Sequence, residues 1–288
     1  MRRSLAFAVA AVVTFGVRGA SAEDRHPKDR LGYDLRFDIP FTAGLLVSGI
    51  VLQVMDLGPE HCRWCERGPN DQSTVNGLDA WTRDHLRWDD AKTAQRMSDV
   101  TGYVLVPLTG VAGGAVVAWA DDRFDETLIN LVIATEASAL SGLLTQAVKV
   151  TAGRERPSFH ALPKEERDAR EAETGSYWSG HSSLAFSFAT ASATVASLRG
   201  YRHAWALWAI GLSFATATAY LRVAGDRDYL TDTLSGAASG AAIGVALPLL
   251  HHVRGDTRLR DHPKTKDEVG SRIHLTPMGA GIGLAGSF

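Results

Sequence analysis

The chain has 288 residues, enough for one large domain or two small ones, and a formal net charge of −2 at pH 7. That balance, with a pI near 6.6, argues against a nucleic-acid partner, and no basic stripe with interleaved aromatics runs through the sequence. The hydrophobic fraction of 45 % is ordinary, but the apolar residues are gathered into segments. This patterning predicts an all-α fold, a helical bundle of about five to six apolar helices, membrane-embedded or membrane-associated.

Residues 1–22 read as a secretory signal peptide. Arg2 and Arg3 form the positive start, Leu5 to Val17 the apolar stretch, and Ala20-Ser21-Ala22 the small-residue cleavage site. An uncleaved anchor is the alternative, although thirteen apolar residues are few for a bilayer. Residues 23–39 are charged and read as a loose lead-in, followed by an apolar segment from Phe41 to Met55. A polar stretch from Asp56 to Asp99 contains Cys62 and Cys65, which in an exported protein favour a disulfide. A redox-active pair and a zinc site using His61 are the alternatives.

Val100 to Ala120 is the most membrane-like run, with a bend expected at Pro107 and close packing at Gly110, Gly113 and Gly114. After the acidic turn Asp121 to Glu126, a helix from Thr127 to Val150 carries Lys149 at its C-terminal end, where a cation suits the helix dipole. Glu136 lies inside it, and in lipid it would have to face the bundle interior. A polar connection from Ala152 to Tyr177 predicts a short solvated helix over Pro163 to Glu173. Ser182 to Leu198, His203 to Leu221 and Leu230 to Leu250 follow as helices, the last with Gly236, Gly240 and Gly244 at four-residue spacing. Beyond His251 the chain is polar and then Gly-rich, readable as a disordered tail or a single added strand.

The chemistry is concentrated between Lys149 and Asp232, in three clusters. Lys149 is followed after six residues by Arg156-Pro157, then come Ser179-Gly180-His181, then Arg222, Asp228 and Asp232. Three cations, a hydroxyl, an imidazole and two carboxylates beside apolar segments are costly to place unless they share a purpose. One tetrahedral oxyanion would serve most of them. The guanidiniums offer forks that match phosphate oxygens. Gly180 lets backbone approach an anion, and the N–H groups of the helix that follows face the same way. His181 can give a proton to a leaving alkoxide.

Over roughly residues 95 to 250 these motifs resemble the type 2 phosphatidic acid phosphatase and vanadium haloperoxidase superfamily, whose pattern is K-x6-RP, PSGH and SR-x5-H-x3-D. The resemblance implies that Lys149, Arg156, Ser179, Gly180 and Arg222 hold phosphate and that His181 is the general acid. It also implies that position 228 attacks phosphorus and that Asp232 orients the attacking group. This chain departs from the pattern with Trp178 for proline, Leu221 for serine and, at the attacking position, Asp228 for histidine. A carboxylate carries negative charge towards a phosphate dianion, and a second one at Asp232 adds repulsion. The expected outcome is weakened hydrolysis of a lipid phosphate or small phosphomonoester. The alternative is an inactive relative that binds a phosphorylated head group. No metal or cofactor is expected, vanadate included, because its protein ligand is replaced.

The domain reading is a signal at 1–22, an N-terminal segment at 23–94, a phosphatidic acid phosphatase type 2-like domain at 95–252 and a tail at 253–288. If Phe41 to Met55 crosses the membrane after signal removal, the site lands inside. About fifteen residues fall short of the roughly twenty a span needs. The expectation is therefore a membrane-associated bundle with a periplasm-facing site, or alternatively a soluble periplasmic one.

Overall fold

The structure, a computed structural model, describes residues 31–55, 61–261, 272–278 and 281–287. The signal-peptide reading at 1–22 lies outside the described residues. Seven longer helices build the body: α1 (Leu35–Val54), α2 (Gly77–Leu86), α3 (Ala91–Ala120), α4 (Thr127–Ala152), α5 (Gly180–Leu198), α6 (Ala204–Ala224) and α7 (Leu230–Asp261). Among the described residues, α3, α4, α6 and the Leu230–His252 part of α7 are long and apolar enough to cross a membrane. This is an all-α, membrane-type fold, as expected.

Two boundaries depart from the sequence reading for a capping reason. The Asp34 carboxylate accepts the Arg36 N–H at 3.1 Å and starts α1 at Leu35, inside the supposed lead-in. The resulting 20 residues rise about 30 Å. At that length α1 is not too short to cross a bilayer. Asp90 accepts the Thr93 N–H at 3.1 Å and starts α3 at Ala91, within the stretch read as polar. The irregularity expected at Pro107 is spread over two π-helical turns, Thr101–Leu105 and Thr109–Gly113, on either side of it. Proline has no N–H to donate, and wider turns absorb the lost ladder bond.

The middle of the bundle is α5, packed by α4, α6 and α7. Its buried face is almost all Ala, Ser and Thr, small enough for close helix approach. Ser141 and Ser183 join α4 to α5 hydroxyl to hydroxyl at 2.6 Å. The Gly236, Gly240 and Gly244 ridge of α7 lies directly on the α5 backbone. A methyl at position 240 would sit 2.2 Å from the Ser183 carbonyl oxygen, and one at 236 would sit 2.4 Å from that of Ser179. Gly240→Ala is accordingly expected to cost about 1–3 kcal/mol through overpacking, read as a lower melting temperature. Gly44→Ala in α1, where nothing lies within 4 Å, is the control. Equal melting of the two variants would refute the contact.

Glu136 faces the bundle interior, 4 % exposed, where its carboxylate meets His251 Nε2 at 3.2 Å. His251 in turn donates from Nδ1 to the Gly32 carbonyl at 2.8 Å. The pair ties α4, α7 and the entry to α1 together, away from the site end of the bundle.

Between α4 and α5 the expected Pro163 to Glu173 helix is cut to one turn, Lys164–Asp168, preceded by another at Pro157–His160. The Glu173 carbonyl accepts the Arg156 N–H at 2.9 Å, so that end of the connection is held against the body instead of continuing as helix. Cys62 and Cys65 form the expected disulfide. The last helix runs to Asp261, past the expected end at Leu250. The C-terminal region carries two strands, β1 (Arg272–Met278) and β2 (Gly281–Ser287), paired antiparallel with Arg272 opposite Ser287. The alternation read as one strand or a tail is thus a hairpin, in which each strand supplies the other's partner. It falls in a separate unit from the helical body.

Candidate functional site

Each cluster sits at the same end of the bundle because a different helix terminus delivers it. Lys149 lies in the last turn of α4, which Gly153 closes in the left-handed conformation at φ 56°. Arg156 follows three residues later. Ser179 is the N-cap of α5, and Gly180 and His181 are its first residues. Arg222 occupies the last turn of α6, Asp228 the short connection to α7, and Asp232 the first turn of α7.

The side chains converge on one carboxylate. Asp228 is 1 % exposed. Its Oδ1 accepts from Arg156 at 3.1 Å, and its Oδ2 accepts from Arg222 Nε at 2.6 Å and from the Ser179 hydroxyl at 2.8 Å. Burial opposes its ionised form, yet Arg222 and Arg156 hold its carboxyl far below the usual carboxylate range. Lys149 donates to the Gly175 carbonyl at 2.6 Å. A methyl on Gly180 would lie 3.7 Å from Lys149 Cε, and one on Gly175 would lie 3.4 Å from Arg156 and 3.9 Å from Lys149 Nζ.

His181 has a partner that the sequence reading missed. Its Nε2 meets Asp99 Oδ1 at 2.8 Å, and its ring lies 4.5 Å from that of Tyr103. Both partners come from α3, whose residues carry no motif spacing with His181.

Asp232 is turned away from Asp228. It accepts from Arg154, from the Ser176 hydroxyl and from the Tyr229 N–H at 3.0 Å. Arg154, also missed, is 0 % exposed. Its other donors reach both oxygens of Glu66 at 2.9 Å and Asp79 at 2.8 Å. The Trp64 and Tyr229 rings cover its guanidinium at 4.4 and 4.2 Å. Burial works against this cation, but Glu66, Asp232 and Asp79 hold it more firmly ionised than an ordinary arginine. The disulfide loop and the α2 N-terminus are thereby anchored to the floor of the site. An arginine two residues before a motif arginine carries no signal of its own in one sequence.

A cavity of about 630 Å³ opens from the cluster, a volume usual for ligand pockets. Lys149, Arg156, Gly180, His181 and Arg222 line its polar end. Arg227, Asp99, Gln95 and Tyr103 also line it, and Leu45, Ile50, Ala139, Leu143, Leu184 and Phe188 from α1, α4 and α5 form its apolar wall. A vanadate cofactor does not fit these residues, since the position of its protein ligand is a carboxylate with both oxygens already engaged.

Residues 130–256 match the family model of the PAP2 superfamily, a span that contains all three clusters. No curated protein matches the chain. Among solved structures, the chain is similar to that described as the first transmembrane PAP2 type phosphatidylglycerolphosphate phosphatase from Bacillus subtilis. The identity is 16 % and the TM-score 0.40, over 80 % of this chain and 98 % of the other.

Proposed function

We propose that this chain is a phosphatase-like protein of the membrane that takes a phosphorylated lipid, with hydrolysis weakened by Asp228. The observation that carries the reading is one cavity that joins Lys149, Arg156, Arg222 and Arg227 to an apolar groove. Such a cavity suits a ligand with an anionic head and a hydrocarbon body, which binds by charge at one end and by area at the other. The match to the PAP2 superfamily over residues 130–256 supports the same chemistry.

In this reading Lys149, Arg156, Arg222, the Ser179 hydroxyl and the Gly180 N–H hold the phosphoryl oxygens and stabilise charge as it develops. His181 protonates the leaving oxygen, with Asp99 fixing the ring. In-line attack falls to Asp228 or to a water, and neither has the lone pair of a neutral imidazole. The full engagement of both Asp228 oxygens favours a second reading, in which the site binds a phosphorylated head group without turning it over.

Helix direction relates the site to the start of α1. The entry to α1 lies beside His251, at the end of the bundle away from the site. A periplasm-facing site then puts that entry on the cytoplasmic side, in conflict with a signal cleaved before it.

The test is a panel of phosphatidate, a polyprenyl diphosphate and a simple phosphomonoester, offered to wild type and Lys149→Ala in detergent. Lipid phosphates are expected to bind wild type, with release well below the ~1 s⁻¹ lower bound of ordinary enzymes, and Lys149→Ala is expected to lose both. Turnover at an ordinary rate would sink the weakening, and failure to bind any phosphorylated lipid would sink the site. Labelling of a cysteine placed at exposed Lys164 by an impermeant maleimide on whole cells reads the orientation. Protection there would rule out the periplasmic side.

A further inference from the structure

The stretch Cys62 to Arg67 takes no direct part in the anion cluster, and none of it lines the cavity. Cys62 and Cys65, the chain's two cysteines, are joined in a disulfide. The stretch grips the backbone that runs between Lys149 and Arg156. The Arg63 and Trp64 N–H groups donate to the Gly153 carbonyl at 3.1 and 3.3 Å, and the Trp64 carbonyl accepts the Glu155 N–H at 3.3 Å. Trp64 is thereby paired in parallel with Arg154.

The opposite edge of the same segment is paired as well. The Arg154 carbonyl accepts the Ser176 N–H at 3.2 Å, and the Glu173 carbonyl accepts the Arg156 N–H at 2.9 Å. Arg156, itself in extended backbone, thus follows a segment held between two neighbours. One is the cysteine loop, and the other carries the Gly175 carbonyl that accepts from Lys149. Side chains repeat the clamp. Trp64 covers the Arg154 guanidinium at 4.4 Å and meets the Tyr177 ring edge-on at 5.3 Å. Glu66 accepts twice from Arg154, and Arg67 donates to Glu155 at 2.9 Å and to the His160 carbonyl at 2.8 Å. Trp64 therefore touches the approach to Arg156 and the approach to Ser179 at once.

The disulfide acts locally. It closes a very short loop, so its hold on the unfolded chain is small beside that of a long loop. What it fixes is the turn that presents Trp64 to Arg154 and two N–H groups to Gly153. Both cysteines are partly exposed, within reach of a small thiol.

We propose that the Cys62–Cys65 bond is a thiol-sensitive modification site, and that Trp64 is the positioning residue through which it sets the anion affinity of the Lys149 and Arg156 cluster. The reductant is a dithiol, which gives up two electrons and two protons. One of its thiolates attacks a sulfur of the pair and displaces the other. Its second thiolate then releases the remaining chain sulfur, leaving a cyclic disulfide and two cysteine thiols. Once open, the loop no longer holds Trp64 against Arg154, and Arg156 and the Gly175 carbonyl lose their common frame. The inference rests on the reading of the cluster as a phosphate site and adds a control that lies outside the cavity.

The experiment uses full-length protein in detergent, with inorganic phosphate as the probe. Affinity is read by titration calorimetry before and after dithiothreitol, with thiols counted colorimetrically. Without denaturant, the reductant is expected to release two thiols and to weaken phosphate binding by about fivefold or more, while the melting temperature moves little. By linkage, saturating phosphate is expected to shift the pair towards the disulfide, by the same factor, in a dithiothreitol redox buffer. The Cys62→Ser, Cys65→Ser double variant is expected to bind as the reduced protein does and to ignore the reductant. Trp64→Ala is expected to weaken binding in the oxidised protein, and Trp64→Phe, which keeps an aromatic face over Arg154, to restore it. No release of thiols without denaturant would overturn the sensitivity. Equal affinity in the oxidised, reduced and Trp64→Ala proteins, or a redox balance that ignores phosphate, would overturn the positioning while leaving the phosphate site standing. Absence of phosphate binding in every form would overturn both.

Discussion

Asp228→His is expected to raise phosphate release from a phosphorylated lipid by on the order of 10²-fold over wild type. Two physical changes act together. The substitution withdraws a carboxylate that accepts from Arg156, Arg222 and Ser179 and so returns those donors to the substrate. It also supplies a neutral nitrogen lone pair at the attacking position. The gain should remain partial. Asp232 lies four residues on, a spacing that suits an orienting partner, but Arg154, Ser176 and the Tyr229 N–H already hold its carboxylate. A new imidazole would be less well oriented than one with a free carboxylate beside it. Asp228→Asn separates the two effects, since it removes the charge without adding a nucleophile. Release from the histidine variant no faster than from the asparagine variant would show that the attacking group is not the missing ingredient.

Arg154→Met is the larger structural change, expected to destabilise the protein by about 3–5 kcal/mol. Burying a cation is unfavourable in itself, and replacing a whole ion pair by apolar groups is often neutral. Removing one partner is different. Here one guanidinium serves Glu66, Asp79 and Asp232, and Asp79 and Asp232 are both 0 % exposed. Methionine would leave the two buried carboxylates short of their main counter-charge and would uncover the faces of Trp64 and Tyr229. Arg154→Lys should rescue little, since a single ammonium cannot present a planar fork to three acceptors. A fall in melting temperature on the order of 10 °C is the expected readout. The control is Arg170→Met, which breaks an exposed pair with Glu166 and should change little. An Arg154→Met protein that melts with the control would remove the network from the account of how the site is held.

The residues proposed to hold an anion stand out together and not one by one, because a lone lysine or arginine at a helix end is ordinary, whereas the joint spacing of Lys149, Arg156, Ser179-Gly180-His181 and Arg222 is not. Position 228 was readable as a departure, and the charge argument against easy turnover needed no coordinates. The supporting residues were not readable. Asp99 reaches His181 across 82 positions and Arg154 reaches Asp79 across 75. Nothing local marks a carboxylate on a half-polar helix as the neighbour of a distant imidazole.

Although α2, inside a stretch read as polar, does not follow from the chain alone, the order of the apolar helices, the glycine ridge of α7 and the cluster of residues proposed to bind an oxyanion do. They depend on periodicity, residue size and spacing, which are properties of contiguous segments. The tertiary structure decided that α1 begins at an aspartate cap and reaches bilayer length, that Asp232 belongs to Arg154, and that Asp228 is seated among the donors a phosphate would need. Those outcomes depend on which helix ends meet, and the meeting is set by packing of the whole bundle, with no trace in any single stretch of sequence.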